Sequence, residues 1–128
     1  MVILDTNIII DHLRKPSSSK SELIKLVEKN PKETLALSVI SIQELYEGRS
    51  TKELEKEEKL ISTVAPLKIL SYTYEIAQRA GVLARDMKNP IEFADCAIAA
   101  TTLYYKASLV TLDKKSYQGI DTMKIVKL

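Results

Sequence analysis

The sequence predicts an α/β fold in which a central, mostly parallel five-stranded sheet carries helices on both faces. Three observations lead to this fold. Five short apolar segments, VILD (2–5), LAL (35–37), LKIL (67–70), SLVTLD (108–113) and MKIVKL (123–128), have the length and branched-chain content of buried strands. They alternate with stretches that have helical apolar spacing, the order that produces parallel sheets. No repeat, low-complexity tract or linker interrupts the 128 residues, a length that fits one domain, 1–128, able to bury roughly two-thirds of its unfolded surface.

In chain order, VILD stops at the polar residues that begin with Asp5, and residues 7–14 continue as a short helix. PSSSK (16–20) is a loop whose serines can cap the next helix in SELIKLVEKN, which Asn30 and Pro31 end. After the second strand, SIQELYEG offers Ser41 as an N-cap, Glu44 three residues on to close a capping box, and Gly48 as a stop. STKELEKEEKLISTV is helical, its mixed charges marking a solvated face. After the third strand, YEIAQRAGVLARDMK forms a helix with apolar 3.6-residue spacing. NPIEFADCAIAATTLYYKA forms another, with Asn89 as cap, Pro90 in the first position and Glu92 completing the box.

Composition excludes several classes of function. No run approaches the ~18 apolar residues of a membrane span. The opening MVILD has neither the basic region nor the cleavage site of a secretory signal, so a cytoplasmic location is expected. Cys96 is the only cysteine, which rules out an intramolecular disulfide and a Cys-rich zinc site and leaves it as a small buried hydrophobe. His12 is the only histidine and reads as a helix-surface residue. Its solitude argues against histidine-based acid–base chemistry, which needs a pair.

The acids carry the functional signal. An ionised carboxylate in an apolar segment costs several kcal/mol unless it is paired, hydrogen-bonded or bound to a cation, and Asp5 sits in the apolar run MVILDTNIII. In open parallel sheets ligands bind beyond the carboxyl ends of the strands. Asp5 ends the first strand and Asp113 the fourth, so both open onto one edge. Asp95 lies in the second turn of its helix, within FADCAIAA, where its neighbours are small or apolar. Each acid also has a purely structural use: a cap for Asp5, the capping box for Glu44, the helix dipole for Asp95 and a turn for Asp113. Joint placement at equivalent element ends favours function. Four converging carboxylates without local cations repel one another, and a divalent cation relieves the repulsion. All-oxygen ligands select Mg2+ or Mn2+ over zinc, and two such ions can clamp the oxygens of a phosphodiester displacement. The formal charge of +2 becomes +6 once these four acids are set aside, a basic surface around an acidic pit that suits a polyanion.

DTNIIIDHL, SIQELYEG, FADCAIAATTL and LVTLD, in that order and spacing, resemble a PIN domain, and in particular the small VapC-type toxins of toxin–antitoxin pairs. The resemblance spans essentially the whole chain. It implies a metal-dependent endoribonuclease in which Asp5, Glu44, Asp95 and Asp113 are the catalytic, metal-binding acids, and Thr6, Asn7 and Thr111 are polar support. Asp113 occupies the position where relatives vary most. Asp11 fits the family's opening helix, although a solvated helix face is the better account of it. The partners implied are an RNA substrate, a small antitoxin protein and a second copy of the chain. An antitoxin could fill the acidic pocket with an Arg or Lys whose cation satisfies the carboxylates in place of metal. Arg14, Lys15, Lys20, Lys114 and Lys115 flank the pocket in sequence and are candidates for phosphate contacts.

Three other functions compete. A haloacid-dehalogenase-like phosphatase also places an Asp at the end of strand one, but carries a second Asp where this chain has Asn7. A housekeeping PIN nuclease of RNA processing is the second. The third is a non-catalytic RNA- or partner-binding domain with structural metal.

Overall fold

The computed structural model describes all residues, 1–128. Its elements are β1 (Val2–Leu4), α1 (Thr6–Arg14), α2 (Glu22–Lys29), β2 (Leu35–Ser38), α3 (Val39–Glu47), α4 (Leu54–Val64), β3 (Lys68–Leu70), α5 (Tyr74–Asp86), α6 (Phe93–Tyr104), β4 (Ser108–Val110) and β5 (Lys124–Ile125). Short 3-10 turns occupy Arg49–Lys52 and Lys114–Tyr117. All five expected strands form, and they pair in the order β3-β2-β1-β4-β5 with every pair parallel.

This order makes β1 central. Leaving it, the chain builds outward through β2 and β3 on one side, then returns to build β4 and β5 on the other. The connections diverge between β1 and β4, and a crevice opens beyond the carboxyl ends of those two strands. Asp5 stands at that point, its backbone N–H donating to the carbonyl of Val110 at 2.9 Å.

Alternation along each strand assigns side chains to the two faces. Ile3, Ala36 and Leu109 face a core shared with Ile98 and Ala99 of α6. Leu4, Leu37 and Val110 face the other core, built with Ile8, Ile9, Leu45 and Leu60 from α1, α3 and α4. Three alanines of α6 (Ala97, Ala99 and Ala100, each 1% exposed or less) let that helix lie close to its neighbours. Cys96 packs in a third cluster between α5 and α6, and its thiol donates to the Ala80 carbonyl at 3.1 Å, so it is the buried hydrophobe expected.

Six local expectations change. Helix α1 begins at Thr6 with Asp5 as its cap, because the Asp5 carboxylate reaches the Thr6 N–H. Helix α2 is capped by Ser21, not by a serine of the preceding loop, and that hydroxyl also lies 2.7 Å from Nδ1 of His12. His12 is therefore half-buried between two helices, where burial lowers its pKa. Asp11 is likewise no solvated bystander, since its carboxylate accepts the Glu22 N–H at 3.0 Å.

The other two changes bear on the site. Helix α3 starts three residues earlier than the capping box implies, with the Ser38 hydroxyl accepting from the Ile40 N–H at 3.1 Å. Strand β2 runs directly into this helix, so Ser41 lies inside it, fully buried, and Glu44 is released from a capping role. Helix α6 starts later, at Phe93 with Glu92 at the cap position, while Asn89 and Pro90 remain in the loop. Ile91 packs onto the two cores that α6 borders. Asp95 consequently falls in the first helical turn instead of the second.

The distinction between the two serines is measurable. Ser38→Ala is expected to lower unfolding stability by about 1 kcal/mol through loss of the α3 cap, as read by urea denaturation. An unchanged midpoint would return the capping role to Ser41.

Candidate active site

Asp5, 5% exposed, is held by four donors. Its Oδ1 accepts the Thr6 N–H at 2.8 Å. Its Oδ2 accepts the hydroxyls of Thr111 at 2.7 Å and Tyr117 at 3.0 Å, and the Asn7 side-chain amide at 3.4 Å. The amide of Asn7 also reaches Thr111 Oγ1, and its carbonyl accepts the Leu112 N–H at 3.1 Å. Thr111 Oγ1 in turn accepts the Asp113 N–H at 2.9 Å. A carboxylate at the end of an apolar strand is thus satisfied by hydrogen bonds, each worth roughly 1.5–3 kcal/mol when the acceptor is charged. Asn7 is committed to joining α1 to the β4 loop, which leaves no second acid in the position a haloacid-dehalogenase-like phosphatase requires.

Glu44 is oriented from α1. The Thr6 hydroxyl lies 2.6 Å from its Oε1 and 2.8 Å from the Ser41 hydroxyl. Thr6 has one proton to give, and the carboxylate is the stronger acceptor, so Ser41 can donate to Thr6 and hold it in that direction. Asp113 is more loosely placed, with Oδ2 accepting the Ser116 hydroxyl at 2.6 Å at the start of the second 3-10 turn.

Asp95 is the most weakly held of the four, its single contact running 3.5 Å from Oδ1 to the Tyr117 hydroxyl. Burial raises its pKa to about 6, and the negative charges of Asp5, Glu44, Glu92 and Asp113 add to the rise. Tyr117 is 2% exposed, and burial followed by the Asp5 and Asp95 charges pushes its phenol far above the ordinary value. It stays protonated, a permanent donor between two acids.

Asp5, Thr6, Asn7, Glu44, Asp95 and Asp113 all line one cavity of about 540 Å³. None of the four acids belongs to any of the six ion pairs in the structure. No three acidic, histidine or cysteine side chains are drawn together tightly enough to form a finished ion cage. The arrangement fits a hard divalent cation such as Mg2+, which keeps several waters and binds through one or two carboxylates plus phosphate oxygens instead of an all-protein cage. The donor set is entirely oxygen, Asp95 and Glu44 retain free carboxylate oxygens, and the unpaired negative charge needs a counter-ion.

All four acids read from the sequence as metal ligands reach this cavity, as do Thr6 and Asn7, while Thr111 stands behind Asp5. Of the basic residues, Lys115 lines it, whereas Lys20 is paired with Glu28 at 2.8 Å elsewhere on the surface. Tyr117 and Ser41 carry no sequence signal for a site. The first is a single aromatic in the polar run DKKSYQG, and the second fits a cap position equally well.

The PIN domain family matches residues 2–120. Ribonuclease VapC10 of Mycobacterium tuberculosis is 30% identical over 127 residues, covering 97% of this chain and 91% of the relative. Ribonuclease VapC19 of the same organism is 32% identical over 120 residues, with 91% and 92% covered. Among solved structures, VapBC2 from Rickettsia felis bound to a promoter DNA fragment superposes with a TM-score of 0.84 at 24% identity, covering 99% of this chain and 98% of that one. VapBC-1 from nontypeable Haemophilus influenzae gives 0.78 at 25% identity, with 98% and 96% covered.

The raised Asp95 pKa sets a pH dependence for the metal-free fold. The folded acid binds a proton up to about pH 6, whereas the unfolded one releases it near pH 3.9. Between those values the folded state holds more protons, so stability falls as pH rises through the window and stays lower above it. Melting temperature in EDTA is expected to drop from pH 4 to 7 in the wild type, with a smaller drop in Asp95→Asn. Equal slopes in the two proteins would show that Asp95 is not the strained acid.

Proposed function

The chain belongs to the PIN domain family, and from that premise we propose that it is a divalent-cation-dependent endoribonuclease and the toxin of a toxin–antitoxin pair. The observation that carries the reading is the cavity at the β1–β4 crevice, where Asp5, Glu44, Asp95 and Asp113 meet and none of them forms an ion pair. A bound Mg2+ or Mn2+ would supply charge neutralisation at the scissile phosphate and a more acidic water nucleophile.

The protein's own part is positioning. Thr6 N–H, Thr111 and Tyr117 hold Asp5 in one rotamer, so that its carboxylate faces the cavity at fixed depth. Thr6 does the same for Glu44 from the opposite wall. Asp95, with few hydrogen bonds, is free to turn toward a cation or a cation-bound water shell. Tyr117 braces the gap between Asp5 and Asp95 and excludes water behind them. Asp5, Asp95, Glu44 and Asp113 are proposed as the catalytic acids that hold the ion, with Thr6, Asn7 and Thr111 as support. No helix is long and apolar enough to cross a membrane, and action in the cytoplasm is part of the proposal.

The relatives named as ribonucleases support the activity, and the solved toxin–antitoxin complexes support a small antitoxin partner. A homodimer is supported by exposed apolar side chains on α5 and α6, among them Tyr74 and Phe93 at 80% and 71% exposure.

Cleavage of structured RNA is expected with Mg2+ or Mn2+ and not in EDTA, and equal cleavage in EDTA would remove the metal mechanism. Asp5→Asn and Asp95→Asn are each expected to lower the rate on the order of 100-fold or more while remaining folded. Tyr117→Phe keeps the core but deletes the donor, and a smaller loss, about 10-fold, is expected with an unchanged circular dichroism spectrum. Light scattering at tens of micromolar tests the dimer, where a monomer counts against it.

A further inference from the structure

A second cavity, of about 440 Å³, lies beside the acidic one and has the opposite charge. Arg14, Arg49, Lys56 and Lys59 line it, contributed by the end of α1, the first 3-10 turn and α4. Its floor is apolar, made of Ile10, Leu13, Leu45 and Leu60. Arg14, Arg49 and Lys59 take part in none of the ion pairs, and Lys56 meets only the exposed Glu53, at 2.9 Å. Ile10 and Glu44 line both cavities, so the two are adjoining and Glu44 stands on their shared wall.

The pairing has a physical logic for a polyanionic substrate. Six acids line the acidic cavity and only Lys115 offsets them, so that cavity alone repels nucleic acid. Affinity must come from an adjoining surface with uncommitted cations, and there Arg14 and Arg49 are free, whereas Lys59 donates to the Leu13 carbonyl at 3.3 Å and Lys56 pairs with Glu53. Helix α1 joins the two: Asp5 caps its first turn and Arg14 ends its last. Thr6 to Arg14 spans roughly 12 Å along the axis, the length of three to four stacked nucleotides at ~3.4 Å each.

Resting on the ribonuclease reading, we propose that this cavity is a nucleotide subsite for the RNA strand beside the scissile bond. Arg14 and Arg49 each engage a flanking phosphate, Lys56 and Lys59 supply further positive field, and the apolar floor carries a base or ribose face. Guanidinium groups suit the phosphate because their planar fork binds two oxygens at once. Four cations on an apolar floor favour RNA over an acidic peptide, since a phosphodiester backbone brings a charge with every base.

The test is binding of a single-stranded RNA oligonucleotide of mixed sequence, read by fluorescence anisotropy in EDTA across a salt series. The double variant Arg14→Ala/Arg49→Ala is expected to bind on the order of 10-fold or more weakly, with the slope of log K against log salt reduced by about 1.4 for two lost phosphate contacts. Arg14→Lys/Arg49→Lys should recover most of the slope. A control, Lys29→Ala/Lys32→Ala, removes two charges outside both cavities and should leave binding unchanged. Asp95→Asn should bind at least as tightly as wild type.

Wild-type affinity and slope in the folded double alanine variant would overturn the subsite and leave the nuclease reading standing. The subsite would fall in the same way if that variant keeps RNA binding but loses a copurifying acidic protein. Weakened binding by the variant, in a wild type that cleaves no RNA with Mg2+ or Mn2+, would support the subsite and remove the nuclease reading. A wild type that binds no RNA would overturn both.

Discussion

The Asp5 carboxylate joins more of this molecule than any other side chain. It ends the central strand, caps α1 and accepts hydroxyls from residues 106 and 112 positions away in sequence. Leaving such a charge buried and unpaired would cost several kcal/mol. Satisfying it requires that β1, α1, the segment after β4 and the second 3-10 turn all arrive together, so the same hydrogen bonds that make the acid tolerable also assemble the mouth of the cavity. Fold and site share one set of interactions at this point.

The site is built in two modes. Asp5 and Glu44 are held, the first by four donors and the second by the Thr6 hydroxyl backed by Ser41. Asp95 and Asp113 are left with oxygens facing the cavity. A rigid half gives geometry, and a looser half lets acids close around a hydrated ion without an advance commitment to its exact shell. Electrostatics follow the same division: the repulsion that the structure does not relieve is collected on Asp95, whose pKa stands well above that of an ordinary aspartate.

Charge is segregated around Glu44. One side holds six acids, the other four cations, and one nine-residue helix runs between them. Net charge is only +2, so the bulk electrostatics of the protein conceal an arrangement suited to bringing a polyanion to an acidic centre.

Local sequence by itself determined the alternation of strand and helix, the two-sided sheet and the acids at element ends, because the apolar period of each segment reports which face is buried, and strand-end polarity reports where a run stops. The PIN resemblance rests on the same residues. Tertiary structure decided the rest. Which strand is central depends on the pairing order of distant segments, and that order creates the crevice at Asp5. Ser38 and Ser41 are equally good caps by composition, and only the direct run of β2 into α3 chooses Ser38, freeing Glu44 for the cavity. Tyr117 sits in a polar turn with no periodicity, and becomes a donor to Asp5 and a neighbour of Asp95 only when the turn folds under the sheet edge. Arg14, Arg49, Lys56 and Lys59 are ordinary surface charges along the chain, and they form one cavity because α1, a 3-10 turn and α4 meet. Periodicity records how each segment meets the core, whereas contacts across tens of residues are set by which segments the shared core brings together.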